Sequence, residues 1–231
     1  MKAYFYRTLF LAAFCGAFFS VAAEAQKIKK PPSKPVVNTK PAAVKTTLSP
    51  FEVAVVEEIN QARNDPQKFV TYLEEYRKYM KGTILSIPNK TRLQMIEGLP
   101  AIEDAISDLK KMTKGNAYEV SGGLSKVAQM QLADLQENPT LKHRGKDGSD
   151  LEMRLLKVGF AGNAIAENIS YQTDKAREIV MNMIIDDGYK SRSHRKNIFS
   201  QTFKLFGIAC GAASDKTTLC VAEFANTFKE K

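Results

Sequence analysis

The sequence predicts an α+β fold in which helices precede, interrupt and flank a small, mainly antiparallel sheet. Three observations point there. Amphipathic stripes at helical spacing open the folded part, an isolated apolar strand stretch follows, and two apolar runs around one tight turn close the chain. At 231 residues and 44% hydrophobic content, the chain is long enough for one domain with a real core.

Ser49-Pro50 is a helix start, and Phe51, Val55, Val56, Ile59 and Ala62 then share one face. Asn64-Asp65-Pro66 ends that helix and begins the next, with Asp65 as N-cap and Pro66 at the first helical position. Phe69, Leu73, Tyr76 and Met80 form its stripe. Lys81–Tyr118 reads as an insertion or lid, with a helix after Pro100 carried by Ile102, Ile106 and Leu109. Leu124, Val127, Ala128, Leu132 and Leu135 make a helix that stops before Pro139. The Asp147–Asp150 turn feeds a short helix expected to face inward through Met153, Leu156 and Phe160. Ile165–Tyr171 reads as a strand and Asp174–Ile185 as a helix with Ile179, Val180 and Met183 inward. Lys204–Cys210 and Thr217–Phe224 are strands.

The first 25 residues stand apart from the domain, which is expected over 49–231. A basic start (Lys2, Arg7), the apolar Leu9–Ala23 and the small residues of Ala23-Glu24-Ala25 read as a secretory signal. The apolar run is shorter than the roughly 20 residues that span a bilayer; the alternative is an uncleaved anchor. The expected location is therefore secreted or periplasmic, with no transmembrane helix once the signal is removed.

The formal net charge of +9 resembles a nucleic-acid signal, but Gln26–Leu48 alone holds six lysines and no acid. From Ser49 onward there are 26 basic and 24 acidic residues, so the domain itself is nearly neutral and no nucleic-acid partner is expected. A Lys/Pro-rich stretch without aromatics cannot bury enough surface to fold, and 26–48 is expected to be a disordered linker or a segment that favours anionic polymers.

Removing the signal leaves Cys210 and Cys220, placed symmetrically about Asp215. If Ala213 pairs with Thr217 around a Ser214-Asp215-Lys216 turn, the cysteines lie directly opposite on one face of a hairpin, at bridging distance. An exported protein would form that disulfide; two buried free thiols are the alternative.

The two histidines, His143 and His194, lie in polar, turn-rich stretches and on no apolar helix face. Glu167 stands where an apolar strand begins, so it faces solvent or has a partner. Asp186 and Asp187 follow Ile185 at a helix C-terminus, where the dipole disfavours a carboxylate unless donors or a cation offset it. Singly, each of these residues is more easily structural than functional.

Together they resemble a family. Ile59-Asn60-Gln61-Ala62-Arg63 before Asp65-Pro66 is similar to an opening N-x-x-R helix. His143 with Asp147-Gly148-Ser149, then Ala166-Glu167-Asn168-Ile169, then Ser193-His194-Arg195-Lys196-Asn197-Ile198 are similar to the S-H-x-x-x-D-G-S, G-E-N-[IV] and G-H-R-x-N-I segments of bacterial-type members of the CAP superfamily, which includes cysteine-rich secretory proteins, antigen 5 and plant pathogenesis-related proteins. The resemblance spans about Ser49 to Phe228, with Lys81–Tyr118 unmatched. It departs from the pattern in having no Trp, with Met183 in the place of a helix Trp, and Ala166 in the place of a Gly.

The resemblance implies an α-β-α sandwich and a cavity tetrad of His143, Glu167, Asp186 and His194, with Asp187 the other choice for the second acid. Two imidazoles beside two carboxylates suit a weakly bound divalent metal such as zinc, with His143 and His194 as its ligands and open positions for water. Expected partners are a lipid, a sterol, or a cell-envelope or protein ligand, bound without turnover. The alternative is a metal-dependent hydrolase of peptide or envelope material with Glu167 as base; the sequence has neither G-x-S-x-G nor H-E-x-x-H.

Overall fold

The computed structural model describes residues 47–89, 92–137, 142–171 and 174–231. The expected signal and most of the expected linker lie outside these residues. No helix among them is long and apolar enough to cross a membrane.

Helix starts follow local chemistry. Helix α1 (Pro50–Asn64) opens with a capping box: the Ser49 hydroxyl accepts from Glu52 N while Ser49 N donates to the Glu52 carboxylate. Asp65 ends it and caps α2 (Pro66–Lys78) by accepting from Lys68 N at 3.1 Å. Three two-residue strands follow, β1 (Met80–Lys81), β2 (Ile84–Leu85) and β3 (Leu93–Gln94), in one antiparallel sheet. Helix α3 (Leu99–Lys111) buries Ala101, Ile102, Ala105, Ile106 and Leu109 on one stripe.

The main sheet has the order β4-β7-β8-β6. Strand β4 (Glu119–Val120) runs parallel to β7 (Leu205–Ala212); β8 (Thr218–Ala225) is antiparallel to both β7 and β6 (Ile165–Tyr171). The β7–β8 hairpin pairs Cys210 with Cys220, Ala213 N donates to Thr217 O, and the cysteines are bridged. That turn is the one its symmetric spacing predicts.

Alternation along the strands separates two layers. Phe206, Ile208, Cys220, Ala222 and Phe224 face the larger core, shared with α1, α2, α3 and α6 (Ala176–Ile185). Ala209, Leu219, Val221 and Ile169 face the other way, onto Ala128, Leu132 and Leu135 of α4 (Gly122–Glu137). Helices therefore cover both faces, the α-β-α sandwich of the sequence analysis. Helix α4 comes so close to β7 that a Cβ on Gly207 would sit 2.2 Å from the Leu124 carbonyl carbon. Ser125 uses the contact, its hydroxyl accepting from Ile208 N.

Two expectations are corrected. In α5 (Leu151–Val158) the inward residues are Arg154, Leu155 and Val158, whereas Met153, Leu156 and Phe160 are exposed. The helix is rotated because Arg154 has an ion-pair partner under the sheet edge, and that partner outweighs the exposure of two apolar side chains. Phe160 belongs to β5 (Gly159–Ala161), which pairs with β9 (Phe228–Glu230). The stretch around His194 is helix α7 (Ser193–Phe199) rather than turn, and it buries His194, Arg195 and Ile198. Arg195 holds it in place by donating to Ile184 O and to Asp104 and Asp108 of α3.

Candidate functional site

Strand β6 organises the site because its side chains alternate. Glu167 points toward α5, while Asn168 points toward α7, where its amide donates to His194 O at 3.0 Å. One strand thus reaches both halves of the site through alternate side chains, and it is the outermost strand of the sheet.

The first half is built on Glu167, whose side chain is 3% exposed. Its Oε1 lies 2.7 Å from His143 Nδ1 and its Oε2 accepts from Arg154 at 2.6 Å. The same guanidinium also donates to the carbonyls of His143 and Ser149. Gln131 of α4 donates to Lys142 O at 2.7 Å. These bonds fix the backbone on which His143 stands, and its ring remains 55% exposed. A carboxylate accepts hydrogen bonds, so Nδ1 is the donor in this contact and Nε2 is the ring nitrogen turned away from Glu167.

The second half is buried. Asp186 caps α6 in the left-handed conformation with φ 55°. One of its oxygens accepts from His194 N and the other sits 2.8 Å from His194 Nδ1. Its side chain is fully buried and the His194 ring is 10% exposed. The donors at the start of α7 offset the unfavourable position of a carboxylate at the end of α6. Tyr189 packs edge-on to the His194 ring, with centroids 5.2 Å apart. Asp187 does different work: it accepts from the backbone N–H groups of Ile96, Glu97 and Gly98. Glu97 in turn accepts from Gly188 N and pairs with Arg192. The segment before α3 is thereby fastened beside His194.

That fastening shapes a groove of about 510 Å³ between the β2–β3 segment and α6. Its walls include Leu93, Met95, Ile96, Met183 and Ile185, and Asp186 and His194 lie at its polar side. His143 and Glu167 do not line it.

The structure thus brings His143 to Glu167 and His194 to Asp186. No hydrogen bond or ion pair among the described residues joins one pair to the other. Nor, among them, do three or more His, Cys, Asp or Glu residues group so as to hold a metal ion.

The order of these segments has a counterpart among known proteins. A sequence model of the cysteine-rich secretory protein family, CAP, matches residues 56–224. This chain belongs to the CAP family. Solved structures similar to this CAP protein include an outer surface protein from Borrelia burgdorferi, at 18% identity over 74% of this chain and 96% of that one, with a TM-score of 0.42. An extracellular SCP-domain protein from Bacillus anthracis is 21% identical over 56% of this chain and 38% of that one, TM-score 0.39. A cysteine-rich secretory protein from Staphylococcus aureus is 14% identical over 60% and 42%, TM-score 0.36. No curated protein matches the chain.

Within this CAP domain the motif residues divide by task. Asn60 and Arg63 are scaffold: Asn60 exchanges hydrogen bonds with the Tyr118 backbone, and Arg63 donates to Asn116 O, Ile198 O and Ser200 O beneath the Tyr118 ring. Two residues of the His143 half were not singled out from the sequence. Arg154 hides in a helix whose apolar stripe points elsewhere. Glu223 is fully buried opposite Glu167. The signal for Glu223 was present, a lone acid in the apolar run Leu219–Ala225, the same pattern that marked Glu167.

Proposed function

We propose that this CAP domain is an exported, non-enzymatic binding module that takes a lipid-like amphipathic ligand in the groove beside His194. The carrying observation is the groove itself: about 510 Å³, with Leu93, Met95, Ile96, Met183 and Ile185 in its walls and Gln94, Asn182, Asp186 and His194 among its polar lining. Ligand sites combine apolar walls with placed polar groups, at volumes of roughly 300–1,000 Å³. Methionines on both walls suit chains of variable shape. The rival hydrolase reading needs Glu167 as a free base, but both its oxygens are engaged by His143 and Arg154 and its side chain is 3% exposed.

A fluorescent fatty-acid analogue tests the reading. Saturable binding is expected, weakened at least tenfold by Ile96→Glu, which puts a charge at an exposed rim position (Ile96 is 76% exposed) without disturbing the core. Absence of saturable binding, or equal binding by the variant, would sink it.

A divalent metal is a second, separate proposal. Each Nδ1 is held by a carboxylate, the arrangement that orients metal-binding imidazoles. The residues fit a weakly held ion, not a closed cage, because both carboxylates are already engaged. His143 and His194 are the residues that would hold it, and such an ion would supply a Lewis acid. Calorimetric zinc titration of the wild type and of His143→Ala with His194→Ala decides the matter: identical heats remove the metal.

A further inference from the structure

Glu223 is the most enclosed ionisable group in the site region and has had no role so far. Its residue exposure is 0%, and among the described residues no donor reaches either of its carboxyl oxygens. An ionised carboxylate so placed would carry a large uncompensated desolvation cost.

The sheet register gives it a partner. In the sheet register Glu223 stands directly opposite Glu167 on β6 and Gly207 on β7. Directly opposed residues have Cβ atoms about 4.5–5.5 Å apart, so two Glu side chains on one face meet. Gly207 offers no side chain. Arg154 of α5 is the cation that acts on Glu223, and it is paired with Glu167 at 2.6 Å. Helix α4 presents the neutral Gln131 in the same layer, with its amide donating to Lys142 O. Two carboxylates against one guanidinium would leave a buried net negative charge.

We propose that Glu223 is held as a neutral carboxylic acid whose O–H donates to Glu167, which makes it the positioning residue of the His143 half of the site. Glu167 then accepts from three sides: the imidazole, the guanidinium and the buried acid. Its carboxylate is fixed in plane, and so is the ring it holds. Burial and the facing Glu167 push the Glu223 carboxyl well above the usual carboxylate range, consistent with this geometry. The sign of the linkage follows. Between the ordinary value of about 4.3 for an unfolded glutamate and the raised native value, the folded chain keeps a proton that the unfolded chain has released. Stability therefore falls as pH rises through that window, by up to tenfold in the folding equilibrium constant per pH unit, and levels off above it.

The test needs no ligand, so it stands or fails apart from the groove reading. Infrared spectra of the intact domain at pH 7 should show a protonated-carboxyl C=O band that disappears in Glu223→Gln. Urea unfolding across pH 5 to 9 should show the downward trend in the wild type and its loss in Glu223→Gln, where the amide keeps a donor toward Glu167. The His143 Nδ1–H resonance should persist in Glu223→Gln and fade in Glu223→Leu, which removes the donor. No carboxyl band in the wild type overturns the proposal, and this measurement holds even if a variant fails to fold. An unchanged pH trend in Glu223→Gln, or a persisting resonance in Glu223→Leu, also overturns it.

Discussion

The two histidines of this CAP domain use the same bond for different ends. Each Nδ1 meets a carboxylate, at 2.7 Å for His143 and 2.8 Å for His194. Yet the His143 ring is 55% exposed above a buried platform of Glu167, Arg154 and Glu223, while the His194 ring is 10% exposed and its partner fully buried. In the first half the carboxylate belongs to a charge cluster beneath an open imidazole. In the second it belongs to a helix junction, where Asp186 ends α6 and holds the first turn of α7. A His–carboxylate pair on a strand edge displays its ring; the same pair at a helix–helix corner ties chain together and shows only a ring edge to a groove.

That contrast can be broken most forcefully at Arg154. Its removal leaves Glu167 without its cation beside a second buried carboxyl, and Arg154→Ala should cost about 3–5 kcal/mol by urea unfolding. A loss under about 1 kcal/mol would mean that the platform is not held by charge. Asp186→Ala is next. It removes a charged acceptor from His194 N and from the ring, for an expected loss of about 2–3 kcal/mol, with faster proteolysis between α6 and α7. The smallest effect belongs to His143→Ala: an exposed ring contributes about 0–1 kcal/mol, so its melting temperature should stay close to wild type. If His143→Ala were as damaging as Asp186→Ala, the distinction between a displayed and a tying histidine would fall.

The sequence was legible where signals are local. Ser49-Pro50 and Asp65-Pro66 announce their helix starts because a cap is made within four residues. The symmetric cysteines announce a hairpin because the register follows from one turn. The four polar residues were visible as anomalies in their segments, though the choice between Asp186 and Asp187 was not. Asp186 took the histidine and Asp187 took three amides of a segment nearly ninety positions away. Reading α5 by its apolar stripe failed for a related reason: Met153 and Leu156 lost the inner face to Arg154, whose partner lies on another element.

By itself the sequence determined the first helices with their caps, the disulfide hairpin and the residue types that carry the site, because hydrophobic period and turn chemistry act over a few positions. Only the tertiary structure decided which acid serves which histidine, that Glu167 and the Asn168 that reaches His194 O point to opposite faces of β6, and that Glu223 stands opposite Glu167. Those outcomes depend on strand order and on burial, which set the dielectric around a charge and the distance to its partner, and neither is written in any short stretch of chain.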